Sequence, residues 1–412
     1  MKKRTSWKNL YLVPAATFAV ACGAGSSTTD PAFASNLPSY SSESLSMDST
    51  DSAPPASASI VTTNGAALTT SDGSELETAG DCHPHLFART HEVVRRLNSH
   101  VNILLAHVAD VVADNPKMAS GSQHVWENVK DGIDRKFTMT KAVDGGVTSF
   151  AYELDLAIAG TAPNFVKVYS GTRQGTGVVA AVDGGAAGGP AQVQGSATFD
   201  FTALSQVVTK SHAQGQMSFT FDRINISPKS RKAVITFTNF TPAEGNPHGP
   251  RNGSYVYESK PGVGGSLKFQ DDLILLCPAN PQALVASVDV ITEWYTAADG
   301  TLHGRADALG TKGQIPTGNT WQGVTCHTGT AASAANETYW MMKEENASGA
   351  TLQGSAVSST TSSPSACDPA FVNGKAVVPS LTDSLSDFPF AASFNADGSM
   401  KDNNPFLFPL LG

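Results

Sequence analysis

Phe150-Ala151-Tyr152-Glu153-Leu154-Asp155-Leu156-Ala157-Ile158 alternates large apolar residues with small or charged ones. A period of two puts Phe150, Tyr152, Leu154, Leu156 and Ile158 on one face of a strand and Glu153 and Asp155 on the other. The same alternation recurs downstream in Met217, Phe219 and Phe221, in Ala233, Ile235 and Phe237, and in Phe199 and Phe201 around Asp200. Further strand-like runs lie near Phe165–Tyr169, Ser254–Glu258, Ser266–Leu276, Val285–Trp294, Leu302–Ala308 and Thr338–Met342. Turn residues separate them at Asp144-Gly145-Gly146, Asp183-Gly184-Gly185, Asp299-Gly300 and Asp397-Gly398. The pattern predicts a mainly β domain built on a large antiparallel sheet, as a barrel or sandwich, with most strands apolar on one face only.

Upstream the period changes. Leu86, Val93, Val94, Leu97, Val101, Leu104, Leu105, Val108, Val111 and Val112 recur at spacings of three and four, which predicts one long N-terminal amphipathic helix. Pro84 suits its first turn, Glu92 and Arg96 form an i,i+4 pair, and Asp114-Asn115-Pro116 ends it. A helix from Pro84 to Ala113 would be about 45 Å long.

The first residues read as an export signal. Lys2, Lys3, Arg4 and Lys8 precede a short apolar stretch, Leu10 to Ala21, and Ala19-Val20-Ala21 leads into Cys22. This resembles the bacterial lipobox, in which a diacylated cysteine becomes the first residue of the mature chain, although Ala19 stands where Leu is usual. Residues 1–21 are then a signal peptide and Cys22 the lipidation site. By resemblance to enteric lipoprotein sorting, Gly23 in place of Asp favours the outer membrane. Residues 23–80 are rich in Ser, Thr, Ala, Gly and Pro, with seven acids and no Lys or Arg. Such a segment reads as a disordered acidic stalk, with a coil span on the order of 40 Å, leading to a folded domain over 81–412. A low-complexity loop is expected at 346–366. Of five cysteines, removing Cys22 leaves Cys82, Cys277, Cys326 and Cys367. An even number suits two disulfides in an oxidising compartment, with Cys82–Cys277 and Cys326–Cys367 the preferred pairing.

Several function classes are disfavoured. The net charge is -9 with no concentrated basic run, which argues against nucleic-acid binding. Gly-x-Ser-x-Gly, the P-loop and His-Glu-x-x-His are absent from the sequence. Cys82-His83 and Cys326-His327 lack the upstream cysteine that haem attachment needs. Cys82, His83 and His85 form a weak metal-site candidate whose spacing matches no established zinc pattern. His100 and His107, two helical turns apart, read as boundary histidines at a helix–sheet interface. No cofactor is implied.

The Ala19–Cys22 signal, the acidic Ser/Thr segment and the Cys82-His83-Pro84-His85 start of the helix together resemble large envelope lipoproteins of environmental Gram-negative bacteria, the myxobacterial type. The resemblance implies a location in the cell envelope and attachment to the membrane through an N-terminal lipid, not an activity. The expectation is a non-enzymatic binding or structural module. Two alternatives stay open: a carrier of a hydrophobic ligand in a half-barrel cavity, and a glycan-active hydrolase with two carboxyls about 5–10 Å apart.

Overall fold

A computed structural model describes residues 31–39, 43–47 and most of 85–358, with two short strands at 371–372 and 375–376. The chain is mainly β. Fifteen strands form one antiparallel sheet in which spatial order follows sequence order throughout. They are β1 (Met118–Ala119), β2 (Gln123–Lys130), β3 (Ile133–Asp144), β4 (Val147–Ile158), β5 (Val166–Thr176), β6 (Gln192–Asp200), β7 (Gln214–Ile224), β8 (Ser230–Thr241), β9 (Arg251–Lys260), β10 (Gly264–Leu275), β11 (Leu284–Thr296), β12 (Leu302–Gly313), β13 (Thr320–Gly329), β14 (Glu337–Glu345) and β15 (Val357–Ser358). A hairpin of β16 (Phe371–Val372) and β17 (Lys375–Ala376) forms a second sheet, and β17 lies against β11.

Among the described residues, helices α1 (Pro31–Ser35), α2 (Leu86–Val112) and α3 (Phe201–Val207) accompany the sheet. The position of α2 defines the architecture. It touches β2 and β3 at one side of the sheet and β11, β12 and β13 at the other. Its His100 ring also packs against Phe237 and Phe240 of β8. Strands so far apart in the order meet one helix only because the sheet curls around it, with the twist natural to antiparallel strands. The inner face supplies the core: Trp126, Phe137, Tyr152, Tyr169 and Phe199 form a ladder of neighbouring rings across β2 to β6, with centroids 4.8–6.5 Å apart. The outward positions of β3 and β4 carry Asp134, Lys136, Glu153 and Asp155, the reverse of the lipid-facing pattern of a transmembrane barrel.

Antiparallel meandering places the β3–β4, β7–β8 and β9–β10 connections at one end of the sheet, the near end, and the β2–β3 and β6–β7 connections at the other. Helix α2 starts at the near end. His85 Nδ1 meets Glu337 Oε2 at 2.7 Å, and the Phe87 amide donates to Thr325 Oγ1 at 3.1 Å. A helix start leaves orphan N–H groups, and here a sheet hydroxyl takes one of them. The helix ends at the far end, where Asn128 Nδ2 donates to the Asp110 carbonyl and Lys130 pairs with the Asp110 carboxylate at 2.7 Å.

Two features depart from the sequence reading. First, β9 to β13 are buried on both faces: Lys268, Asp289, Ile291, Glu293, Arg305, Asp307, Leu309 and Val324 are all buried although they alternate with core residues. Second, part of the expected stalk belongs to the core. Phe33 is fully buried, and Leu45 and Met47 are each 4% exposed. Phe33 stacks on His124 at 3.8 Å between centroids and meets Phe150 edge-on. A disordered segment from 23 to 80 therefore does not describe residues 31–39 and 43–47. Local composition is Ser-rich there, but three apolar side chains spaced along it reach one groove. The rest of 23–80 lies outside the described residues, as do 359–366 of the expected loop; within that loop, Asn346 to Ala350 form a turn closed by Asn346 Oδ1 and β15 follows.

Candidate functional site

The most unusual chemistry sits on the inner face near the near end. Arg223 continues the inward run Met217-x-Phe219-x-Phe221 of β7 by one step, and Arg231 precedes the inward Ala233, Ile235 and Phe237 of β8. The ladder places Arg223 directly opposite Arg231. Arg173, 8% exposed, occupies the inward position of β5 opposite Phe150. On β6 the same row holds Gly195, and the Phe221 ring crosses the space a side chain there would fill, 2.6 Å from the position of an added Cβ.

Residues 43–47 lie over these arginines. The Glu43 carboxylate is 3.9 Å from Arg173 Nη1, and Arg231 Nη1 reaches the Ser44 carbonyl at 3.5 Å. Glu43 is only 4% exposed. Its negative charge acts on Arg173's neighbours Tyr152 and Tyr169, whose hydroxyls are held neutral to high pH chiefly by burial. Burial, reinforced by the charge of Arg231, pulls Arg223 down to about 10, while Glu43 opposes the shift.

Two side chains grip the segment through its backbone. Asn98, midway along α2, accepts from the Leu45 amide and donates to the Leu45 carbonyl, each at 2.8 Å. Tyr257 Oη does the same for Ser46, accepting from its amide at 3.1 Å and donating to its carbonyl at 2.7 Å. Both contacts read main chain only, so they hold an extended segment independently of its side chains.

A second polar region lies on the opposite, outward face of β9 to β13. Arg305 Nε and Nη2 donate to the two oxygens of Asp307 at 2.8 and 2.7 Å, a bidentate pair with both groups at 2% side-chain exposure. In register beside Arg305 stand Glu293 and Cys326, with Tyr339 beyond. Burial pulls the Lys268 ammonium in this region down to about 7 against the attraction of Asp289.

Of the residues singled out in the sequence, Cys22, Cys82, His83, Cys277 and Cys367 lie outside the described residues. Cys326 is fully buried and disulfide-bonded to a partner outside them. His85 Nδ1 meets Glu337, and among the described residues no three His, Cys, Asp or Glu side chains converge as a metal site. His100 packs against Phe201, Phe237 and Phe240, and His107 Nδ1 accepts from Arg135 Nε at 3.2 Å. Asp397-Gly398 also lies outside the described residues.

His107 supplies a pH-dependent element of stability. Burial and the adjacent Arg135 lower its pKa to about 4. Between this value and an unfolded value of about 6.5 the unfolded chain binds a proton that the folded chain does not, so stability rises with pH through that window. The contribution is complete above about pH 6.5 and lost as pH falls toward 4. Two and a half pKa units correspond to about 3 kcal/mol. His107→Gln should flatten urea-denaturation midpoints between pH 4 and 6.5; an unchanged slope would assign the acid sensitivity elsewhere.

Comparison with known proteins finds no match among protein-family models, curated proteins or solved structures.

Proposed function

We propose that the chain is a lipid-anchored cell-envelope protein whose folded domain acts by binding, with an outer-membrane location following from Cys22-Gly23. The observation that carries the binding reading is the occupancy of the curled sheet. Its apolar inner face encloses α2 and, beside it, residues 43–47 of the same chain, gripped through their backbone by Asn98 and Tyr257. An interior that seats a short segment by its main chain, with Leu45 and Met47 buried, has the form of a receptor for such a shape. This favours the hydrophobic-ligand carrier over a purely structural module. The glycan-hydrolase reading has less to support it: the buried carboxylates of Asp307 and Glu43 are engaged by arginines rather than set across a cleft.

The docked segment also revises the tether. Only residues 23–30 separate Cys22 from α1, a span of at most about 30 Å fully extended. A lipid on Cys22 therefore holds the near end of the sheet against the membrane rather than on a long stalk, and 48–84 becomes a connection from Met47 to His85. For the thiols, we pair Cys326 with Cys367, which precedes the β16–β17 hairpin lying on β11, and Cys82 with Cys277; non-reducing peptide mapping distinguishes the three pairings. The anchor is tested by Cys22→Ser, which should move the protein from the membrane fraction to soluble extracts, with labelled palmitate marking the wild type only. A mutant still in the membrane fraction, beside an unlabelled wild type, would refute the anchor.

A further inference from the structure

We propose that Arg173, Arg223 and Arg231 form a binding site for the anionic head of an amphiphile, a carboxylate or phosphate carrying an apolar chain, and that Glu43 occupies this site in cis. The inference rests on the reading of the domain as a binding module and is independent of the anchor.

The charge arrangement is the first argument. Like charges directly opposite each other on neighbouring strands repel, and Arg223 faces Arg231 on the inner side of the sheet, in phase with Phe221 and Ala233. Arg173 adds a third guanidinium, 8% exposed, whose Nε has no hydrogen-bond partner among the described residues. Three guanidiniums on one inner face, Arg173 buried and Arg223 and Arg231 half-exposed, repel one another unless an anion lies between them. The guanidinium fork matches carboxylate and phosphate geometry. Burial of Arg223 strengthens its interaction with any anion that arrives.

The second argument is the form of the cis occupant. Glu43 presents a carboxylate to the arginines, and Leu45 and Met47, two and four residues on, are buried in the apolar interior. The segment is thus a charged head followed by apolar groups. Phe150 and Phe221 stand in the same row as Arg173 and one step deeper than Arg223 and Arg231, with Tyr152 a further step in, so a single-chain amphiphile held by the arginines meets apolar side chains next. The cis contact is also an imperfect one: 3.9 Å between Glu43 Oε1 and Arg173 Nη1 is an ion pair without a hydrogen bond. A ligand whose head reaches bonding distance from the forks gains hydrogen bonds that Glu43 does not make to Arg173.

The test uses the mature chain, residues 22–412, carrying Cys22→Ser so that no detergent is needed. Its binding of cis-parinaric acid, a fluorescent long-chain carboxylate, is compared with that of the acid's uncharged methyl ester. Glu43→Gln should raise affinity for the acid at least tenfold, leave the ester unchanged, and lower the thermal midpoint by several degrees, the acid restoring it. Glu43→Asp should behave as wild type, and adding Arg173→Gln to Glu43→Gln should abolish the gain. Where Glu43→Gln proves too unstable to purify, Leu45→Ser, which loosens the segment without touching the charges, should give the same tenfold gain. Inorganic phosphate at millimolar concentration separates the sources: displacement of the acid assigns the site to free anions as well, and its failure assigns it to amphiphiles. Equal affinity of wild type and folded Glu43→Gln for the acid, or an equal gain for the ester, would overturn the proposal.

Discussion

Asp307→Ala is expected to lower stability by about 3–5 kcal/mol, enough to unfold a protein of ordinary marginal stability at modest denaturant. The reason is asymmetric. Arg305 and Asp307 sit two residues apart on one strand, both nearly inaccessible, and the guanidinium binds both carboxylate oxygens. Removing the acid leaves a buried cation that cannot reach water. Removing both charges is a different matter, because two well-packed apolar residues need no desolvation of ions. Arg305→Met with Asp307→Leu should therefore recover most of the loss. Guanidinium denaturation of the two variants measures the difference; a double variant as unstable as the single one would show that the cost lies in packing and not in the loss of the bidentate pair.

Gly304→Val is expected to cost at least about 3 kcal/mol, at or beyond the upper range of overpacked cores. Gly304 lies on the inner face of β12, and the Phe87 ring at the start of α2 rests directly on its backbone. A Cβ added there would stand 1.9 Å from Phe87 Cε2 and 2.3 Å from Cζ. Neither group can yield easily: Phe87 is fully buried and its amide is tied to Thr325. The strain is released only by moving the helix start away from β12 and β13. Phe87→Ala alone opens a cavity and should cost about 3–5 kcal/mol. Combined with Gly304→Val the two changes should compensate, giving less destabilisation than their sum. Strict additivity of denaturation free energies would mean the ring and the glycine are not in contact in solution.

The antiparallel sheet was legible because most strands alternate cleanly. Phe150 to Ile158 became β4 with Phe150, Tyr152, Leu154 and Leu156 buried, and the Asp144-Gly145-Gly146 and Asp299-Gly300 turns stand where expected, with their glycines at positive φ. Strands β2 and β13 were missed because polar residues occupy inward positions, His124 in one and Thr325 and His327 in the other. Phe201 was read as strand, yet Asp200 caps a helix there by accepting from the Ala203 amide at 2.8 Å; an Asp three residues before Ala203 was the available signal. The arginine site was written in the same code as the core. Arg223 and Arg231 fall in phase with apolar stripes, where a charge has no reason to be unless something inside receives it. Residues 31–39 and 43–47 were hidden for the opposite reason: averaging over an acidic, Ser-rich stretch dilutes Phe33, Leu45 and Met47, and a fold-back of over two hundred residues in sequence, from Ser46 to Tyr257, leaves no local trace.

The strictly sequential order of the strands bears on how the chain is made. Each strand from β2 to β15 pairs with its immediate predecessor, so each new segment of the main sheet finds a free edge already in place as the chain is made. Loop closure between neighbours is short, and such local topology favours rapid acquisition of structure. The innermost parts, residues 31–39, 43–47 and α2, emerge before the sheet that will enclose them, so no finished shell has to open to admit them. They serve as a mandrel on which the β-structure is wound, N-terminus first. The last pairing of the main sheet, β14 with β15, leaves the β14 backbone row exposed until Val357 and Ser358 arrive, which makes a truncation before them a defect of assembly before it is a defect of stability.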